Sequence, residues 1–345
     1  MTPIIWTIII TSLSTSTIIT TLSHHWLLAW LGLELNTLSM LPLIMSPANP
    51  RATEAATKYF IIQTVGATLI LFASTTNAWH TGQWTIMHTQ HPFTSLTLTL
   101  ALALKLGAAP MHAWYPEVLQ GSTITMALVI STWQKVAPLA LLYMLINHLP
   151  NTLVLLLGLT SALLGGWAGL NQTQTRKLMA FSSIAHLGWL LTALTLSPTL
   201  TTMTFITYTM MTTVAFMLLN TTATKTLTNT TTMWSNTPVL MVMMLLSMMT
   251  LSGLPPLMGF APKWFILQML TTTHLTPLAV TLALASLPGL FFYTRLTYLS
   301  TLTTPPNTTN TTYKWRLNTS KPLTLATLIT MTTMLLPMTP LLTTT

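Results

Sequence analysis

Residues 251–264 read LSGLPPLMGFAPKW and interrupt an apolar run that extends over about residues 237–271. A second stretch of the same character, LKLGAAPMHAW at residues 104–114, places Gly107 and Pro110 inside another apolar run. Proline lacks a backbone donor and clashes with the preceding turn of a helix, so it bends or breaks the helix that contains it. The sequence therefore predicts two helices that are each broken near the middle.

The composition indicates that lipid surrounds the helices that flank these breaks. Of 345 residues, 12 are Lys or Arg and three are Asp or Glu, which is 4% of the chain, whereas soluble domains carry about 25% charged residues. So few charges could not cover the surface of a soluble fold of this size. The chain has no cysteine, which excludes disulfides, iron–sulfur ligation and thiolate zinc sites. Its basic residues are scattered, so the net charge of +9 is a topology signal and does not indicate nucleic-acid binding.

Runs of about 20 mostly apolar residues predict eleven transmembrane helices within a single domain, residues 1–345. The connections are short, and no stretch is long and polar enough to form a soluble domain. The predicted spans are 3–21, 25–45, 57–78, 94–116, 122–147, 151–170, 176–195, 198–220, 237–271, 276–299 and 322–343.

The order of these spans predicts an internal repeat. If spans 1–5 and 6–10 form two repeats, at about 3–147 and 151–299, the broken helix is the fourth helix of each. Because five is odd, the second repeat enters the membrane from the opposite side. The predicted fold is all-α, a polytopic membrane protein of two inverted five-helix repeats and a last helix at about 322–343. Broken helices in matching positions indicate a transport site, and two unrelated proline kinks are the alternative.

Loop charges favour one orientation of this topology. The Lys and Arg residues of the loops all fall on one side of an eleven-span arrangement, so the positive-inside rule places that side, with the N-terminus, in the matrix or cytoplasm. The spacing of Glu54 and Lys58 predicts an ion pair at this surface, where Glu117 is also expected. Gly165 and Gly166 predict close helix packing. The loop residues are Arg51, Arg176, Lys177, Lys225, Lys314, Arg316 and Lys321.

Four ionisable residues lie too deep in the predicted spans to reach an interface. They are Glu34 in the second span, Lys105 in the fourth, Lys135 in the fifth and Lys263 beside the break in the ninth. A charge at the bilayer centre costs roughly 2.5–3.5 kcal/mol on insertion scales, so these groups must pair, hydrate or lose their charge. Low dielectric disfavours the charged form of each, which lets small changes in the local field load or unload a proton.

One acid and three lysines cannot neutralise one another, and this imbalance favours a lateral proton relay. We expect Glu34 and Lys105 to form a coupled pair, Lys135 to connect and Lys263 to act as a terminal donor. The alternative is a set of structural ion pairs. His186 in the seventh span extends this set as a weaker candidate, since a neutral histidine with one hydrogen bond is inexpensive to bury.

His112, at the end of the broken fourth span, is a second candidate of this weaker kind. The sequence has no G-x-G-x-x-G after a strand and no Walker loop. Its three acids cannot supply a Ser/His/acid hydrolase set, and no haem ligand pair is evident. We therefore expect this chain to bind no cofactor, metal or nucleotide and to perform no redox chemistry by itself.

Several long stretches resemble the chain 2 family of mitochondrial NADH–ubiquinone oxidoreductase (complex I), one of three antiporter-like membrane subunits of that complex. The likeness covers essentially the whole chain, and the first, third and fifth stretches are highly specific. The stretches are HWLLAWLGLELNTLSMLPL (25–43), RATEAATKYF (51–60), LALKLGAAPMHAWYPEVLQG (102–121), GLNQTQTRKLMAFSSIAHLGW (169–189) and LSGLPPLMGFAPKW (251–264).

The resemblance implies a core membrane-arm subunit that couples redox energy to proton translocation. The family's glutamate, first broken-helix lysine, connecting lysine and second broken-helix lysine fall on Glu34, Lys105, Lys135 and Lys263. Other subunits would oxidise NADH and reduce ubiquinone with FMN and iron–sulfur clusters. The implied partners are neighbouring antiporter-like subunits and phospholipids, with no nucleic acid. The implied location is the mitochondrial inner membrane, with a matrix N-terminus and an intermembrane-space C-terminus.

Two alternatives share the fold. A stand-alone cation/proton antiporter subunit would have the same charges, although sodium coupling favours an additional intramembrane carboxylate. A purely structural scaffold of the membrane arm would tolerate loss of Glu34 and Lys105 without loss of pumping.

Overall fold

The computed structural model describes residues 2–89, 91–231, 234, 237–302 and 323–339, and regular secondary structure in these ranges is helical. Short 3-10 segments occur at Trp133–Lys135, Ile146–His148 and Leu336–Met338. The α-helices are α1 (Pro3–Leu22), α2 (Trp26–Ile44), α3 (Pro50–Thr81), α4 (Pro92–Leu106), α5 (Trp114–Gly121), α6 (Ile124–Thr132), α7 (Val136–Leu145), α8 (Asn151–Gly169), α9 (Thr175–Leu196), α10 (Pro198–Thr222), α11 (Leu227–Thr231), α12 (Pro238–Ser252), α13 (Phe260–Thr272), α14 (Thr276–Leu302) and α15 (Leu323–Met334).

The helix lengths confirm a polytopic membrane protein with about eleven crossings. Within the described residues, eight helices are long and apolar enough to cross a membrane, and three shorter apolar helices accompany them. Helix α3 begins at residue 50 instead of the predicted 57. Its 32 residues measure about 48 Å, so it extends beyond a hydrocarbon core of about 30 Å. Of the predicted last span, residues 322 and 340–343 lie outside the described ranges, as do Lys314, Arg316 and Lys321 of the preceding loop.

Both predicted breaks are confirmed, and their local structure is the same. Helices α4 and α12 each end at a glycine in the left-handed region, Gly107 with φ +74° and Gly253 with φ +79°. A glycine without a Cβ is the residue that adopts this conformation at little cost, which is why it terminates helices. A cis X-Pro bond follows each of these glycines, at Pro110 and Pro256. The chain then re-enters a helix, α5 or α13.

A third interruption was not predicted. The fifth span runs from Ile124 to His148, but the segment Trp133–Lys135 between α6 and α7 is a 3-10 turn. Pro138 has no N–H to donate to the carbonyl of Gln134, and its ring crowds that carbonyl, which loosens the helix at this point. Gln134 and Lys135 therefore lie in a locally irregular segment in the middle of a span.

The chain divides into two compact units, unit 1 (Met1–Ser161) and unit 2 (Ala162–Thr345). Each unit contains one broken helix and one isolated antiparallel β-bridge. The bridge pairs His25 with Thr85 in unit 1 and Gln174 with Thr226 in unit 2. In both cases it joins the start of the second helix of the predicted repeat to the segment after the third. This recurrence of local features supports the two repeats that the sequence predicts.

Polar residues in the helices are accommodated by local hydrogen bonds and close packing. Threonine and serine hydroxyls donate to carbonyls three or four residues earlier, as Thr17 does to Ser14 at 2.8 Å, which satisfies them without a partner helix. The predicted role of Gly165 and Gly166 in close packing is confirmed. A Cβ on Gly165 would lie 2.5 Å from the nitrogen of Ala185, and one on Gly166 would lie 3.1 Å from the carbonyl oxygen of Ala285.

Candidate functional site

Two buried lysines of unit 1 line one polar cavity. Lys105 is 5% exposed and Lys135 is 2% exposed. The volume that the centre of a water molecule can occupy in this cavity is about 10 Å³, so the cavity has room for about one water molecule. Its lining also includes the polar side chains Asn36, Thr37, Tyr59, Gln63 and Gln134 and the aromatic residues Trp114 and Tyr115.

The end of a half-helix positions Lys105. It lies in the last turn of α4, where the unpaired carbonyls and the helix dipole favour a cation. Gly66 of α3 leaves room for its stem, since a Cβ on this glycine would lie 2.9 Å from Lys105 Cγ. Gln63 Nε2 donates to the Lys105 carbonyl at 3.3 Å. The lysine is therefore held on both its backbone and its aliphatic side.

Lys135 owes its position to the interruption of the fifth span. It ends the 3-10 turn, and its Nζ lies 5.3 Å from the centre of the Tyr115 ring. A ring face attracts a cation in a site with little water. Helix α5, the second half of the broken fourth span, supplies this ring from its first turn.

A network of neutral polar side chains lies beside these lysines. Asn36 of α2 and Gln134 exchange two hydrogen bonds, with Asn36 Nδ2 donating at 2.9 Å and Gln134 Nε2 at 3.1 Å. The hydroxyl of Tyr59 also donates to Gln134 Oε1, at 3.4 Å. Buried amides and hydroxyls in such a setting are stable only when they are hydrogen-bonded. The network therefore holds α2, α3 and the 3-10 turn in register.

Glu34 lies close to this site but interacts with it through space. Its side chain is half-buried on α2, and its charge acts electrostatically on Lys105 and on Tyr59. Within the described part of the chain, neither Glu34 Oε2 nor Lys105 Nζ has a hydrogen-bond partner. The carboxylate and the amine thus attract one another without a fixed direct bond.

Unit 2 contains a second site, around Lys263. From the first turns of α13, Lys263 Nζ donates to the carbonyl of Ser252, the last residue of α12, at 2.8 Å. The amine lies 5.8 Å from the centre of the Trp189 ring. It lines a cavity that offers about 20 Å³ to water centres, together with His186 and Tyr293.

The two candidate histidines have different surroundings. His186 lies in the Lys263 cavity, with its ring 5.7 Å from that of Tyr208. His112 is half-buried in the broken segment, where its Nδ1 lies 3.2 Å from the Pro110 carbonyl oxygen, and it lines neither described cavity. His186 therefore shares a cavity with Lys263, whereas Glu34, Lys105 and Lys135 all lie in unit 1.

At one end of α3 the predicted surface pair is confirmed. Lys58 Nζ lies 2.5 Å from a carboxylate oxygen of Glu54 and 2.5 Å from one of Glu117. Lys58 thereby connects α3 to α5, the second half of the broken helix. No group of three metal-ligating side chains occurs among the described residues.

Comparison with known proteins identifies the family. A profile described as "NADH:quinone oxidoreductase/Mrp antiporter, TM" matches residues 23–288, and one described as "NADH dehydrogenase subunit 2 C-terminus" matches residues 290–343. The chain is 48% identical over 342 residues to NADH-ubiquinone oxidoreductase chain 2 of Xenopus laevis, with 99% of each chain covered. It is 49% identical to that of Coturnix japonica, with 97% of each covered. This chain belongs to the NADH-ubiquinone oxidoreductase chain 2 family. It is accordingly a multi-pass membrane protein.

A solved structure extends the family assignment to the fold. The chain 2 family member described here superposes on a chain of respiratory complex I from Thermus thermophilus with a TM-score of 0.81 and 25% identity. The alignment covers 93% of this chain and 74% of the bacterial one. The bacterial chain is therefore longer.

Sequence reasoning missed the neutral members of the chain 2 site. Tyr59, Asn36 and Gln134 were not singled out, although each lies inside an apolar span beside an ionisable residue of the second, third or fifth helix. Amides at mid-span depth are costly in lipid, which is a usable signal for Asn36 and Gln134, whereas Tyr59 lies at the start of its predicted span. Their partners are 75 or 98 residues apart in sequence, and this distance hid the network.

Proposed function

We propose that this chain translocates protons through a membrane-embedded Glu and Lys relay, as a membrane-arm subunit of NADH–ubiquinone oxidoreductase (complex I). The observation that carries the proposal is the cavity of unit 1, which the buried side chains of Lys105 and Lys135 line together with neutral polar side chains. Glu34 acts electrostatically on one of those amines. An isolated charge at this depth is costly, and a proton that can leave is one way to remove the cost.

The proposed roles follow from the surroundings of each group. Glu34 attracts a proton to the Lys105 side of the cavity, and Lys135 accepts it across a space that holds about one water molecule. Lys263 is the proposed terminal donor. It lies beside the second break, at backbone carbonyls that stabilise its charged form. His186 shares its cavity and is a further candidate, and His112 is a weaker one.

The redox chemistry belongs to other subunits in this proposal. They would bind NADH, FMN, iron–sulfur clusters and ubiquinone, and this chain would contact the neighbouring antiporter-like subunits and phospholipids. The family is mitochondrial in the vertebrate relatives, so the location is the inner membrane. The basic loops favour an N-terminus in the matrix and a C-terminus in the intermembrane space.

The test is proton pumping per NADH oxidised by assembled complex in sealed liposomes. Glu34→Gln and Lys105→Met should each lower the rate of proton-coupled NADH oxidation about tenfold or more, because each removes a group that exchanges a proton. Glu54→Gln is the matched control, since this exposed glutamate lies in the surface pair with Lys58, and it should pump normally.

Two other results would point elsewhere. Normal pumping by fully assembled Glu34→Gln and Lys105→Met complexes would identify the chain as a structural scaffold. Purification of the chain in a small complex without NADH dehydrogenase activity would favour a stand-alone cation/proton antiporter.

A further inference from the structure

Tyr59 is a buried tyrosine in the lining of the cavity that contains Lys105 and Lys135. Its side chain is 1% exposed, and its ring packs edge-on against Trp114 with centroids 6.0 Å apart. This packing fixes where the hydroxyl lies. The hydroxyl donates to Gln134 Oε1 at 3.4 Å, and because it is the donor in this long bond its lone pairs remain available to accept.

Tyr59 lies where a polar group is needed between Glu34 and the cavity of the two lysines. The described lining of the cavity includes Lys105, Lys135 and Tyr59 but does not include Glu34. Glu34 nevertheless acts electrostatically on Tyr59 as it does on Lys105. Tyr59 is thus a polar group that lines the lysine cavity and also lies in the field of the carboxylate.

The chemistry of the neighbouring polar groups favours the tyrosine as the carrier. Asn36 and Gln134 each donate one N–H to the carbonyl oxygen of the other, and a neutral amide is a poor proton carrier because its donor and acceptor are different atoms. A hydroxyl has its donor and acceptor on one oxygen. It can therefore take up one proton as it releases another.

We propose that Tyr59 is a further proton-path residue, whose hydroxyl carries a proton between Glu34 and the cavity of Lys105 and Lys135. This inference rests on the proposed relay. In one transfer, the Lys105 ammonium gives a proton to the Tyr59 oxygen, directly or through a water molecule in the cavity. The hydroxyl turns its original proton away from Gln134 Oε1 and releases it toward the Glu34 carboxylate, which becomes neutral as Lys105 becomes a neutral amine. Tyrosine is regenerated, and the reverse transfer uses the same atoms.

The experiment is Tyr59→Phe in assembled complex, with the rates of NADH oxidation and of proton uptake into sealed liposomes both expressed per assembled complex. The substitution keeps the ring against Trp114 and removes the oxygen. We expect proton-coupled NADH oxidation to fall about tenfold, the scale of a lost proton-transfer group. Tyr59→Phe combined with Glu34→Gln should be no worse than either single variant, because both act on one step. Tyr143→Phe, at an exposed apolar position, is the matched control and should pump normally.

Tyr59→His supplies a second readout that a merely structural hydroxyl would not move. An imidazole can carry a proton, so this variant should pump faster than Tyr59→Phe. Equal pumping by the two would overturn the inference, as would normal pumping by Tyr59→Phe or loss of assembly in that variant. If Glu34→Gln pumps poorly while Tyr59→Phe pumps normally, only the role of Tyr59 fails. If Glu34→Gln and Lys105→Met pump normally, the relay itself fails.

Discussion

The two broken helices of this protein each place a lysine within the membrane, and the charge of each lysine is compensated in a different way. In each, the first half-helix ends at a left-handed glycine, Gly107 or Gly253, and a proline-containing turn leads into the second half. In each, a lysine lies within a few residues of the break. Lys105 belongs to the first half-helix itself, whereas Lys263 comes from the half-helix after the break and reaches back to Ser252.

The difference lies in what compensates each lysine. Lys263 donates to a backbone carbonyl at 2.8 Å, and a fixed dipole of this kind does not change with protonation. Lys105 has no hydrogen-bond partner within the described residues and lies instead in the field of Glu34, a group that can itself gain or lose a proton. All three acids of the chain, Glu34, Glu54 and Glu117, are in unit 1. The comparison therefore indicates a switchable site in unit 1 and a more constant one in unit 2.

The largest effect should come from Gly253→Ala. An added Cβ would lie 2.8 Å from Lys263 Nζ and 3.0 Å from its Cδ and Cε, so the amine would have to leave the Ser252 carbonyl. A non-glycine residue at this φ also costs about 1–2 kcal/mol. We expect about a tenfold loss of proton-coupled NADH oxidation, on the scale of a displaced proton-transfer group.

Gly82→Ala separates the contact with Lys263 from the backbone cost of a non-glycine residue at positive φ. Gly82 also ends a helix, with φ +70°, but a Cβ there would meet nothing within 4 Å. Thermal unfolding of the purified complex should show a similar backbone cost for both alanine variants. Equal pumping by the two would mean that contact with Lys263 has no functional weight.

A smaller effect is expected for Gly66→Ala in unit 1. The added Cβ would lie 2.9 Å from Lys105 Cγ and 3.3 Å from Leu104 Cδ2, but the backbone is helical and alanine is the better helix former. Assembly should be unchanged while proton-coupled NADH oxidation falls severalfold, because the flexible stem of Lys105 must shift. Combining Gly66→Ala with Leu104→Ala removes the leucine contact. Recovery of pumping in that double variant would assign the effect to Leu104 and not to the lysine.

The smallest effect is expected for Glu117→Gln. Lys58 keeps its contact with Glu54, and the Glu117 side chain is 51% exposed, so the lost ion pair should contribute little. Pumping and the midpoint of thermal unfolding should match those of the unchanged complex. A large loss of pumping would show that the charge of Glu117 on α5 affects proton transfer at the break. The site in unit 1 would then respond to a surface charge as well as to Glu34.

Local rules were sufficient for most of the fold. Apolar runs predicted the membrane spans, and glycine and proline predicted both breaks, because the conformations of Gly107 and Gly253 depend on their own covalent structure. The 3-10 turn at Trp133–Lys135 was missed although Pro138 is its local cause. A proline near the middle of a helix bends it by an amount that its neighbours decide.

The sequence by itself determined that the helices lie in lipid, where two of them break and which ionisable residues lie within the spans, because each of these depends on composition or on a few adjacent residues. Only the tertiary structure decided which of these residues meet. It grouped Lys105 with Lys135, connected Asn36 to Gln134 across 98 residues, and turned Lys263 back onto the end of the preceding half-helix. Such contacts depend on helix packing and on side-chain direction in three dimensions, which the spacing of residues along one helix does not specify.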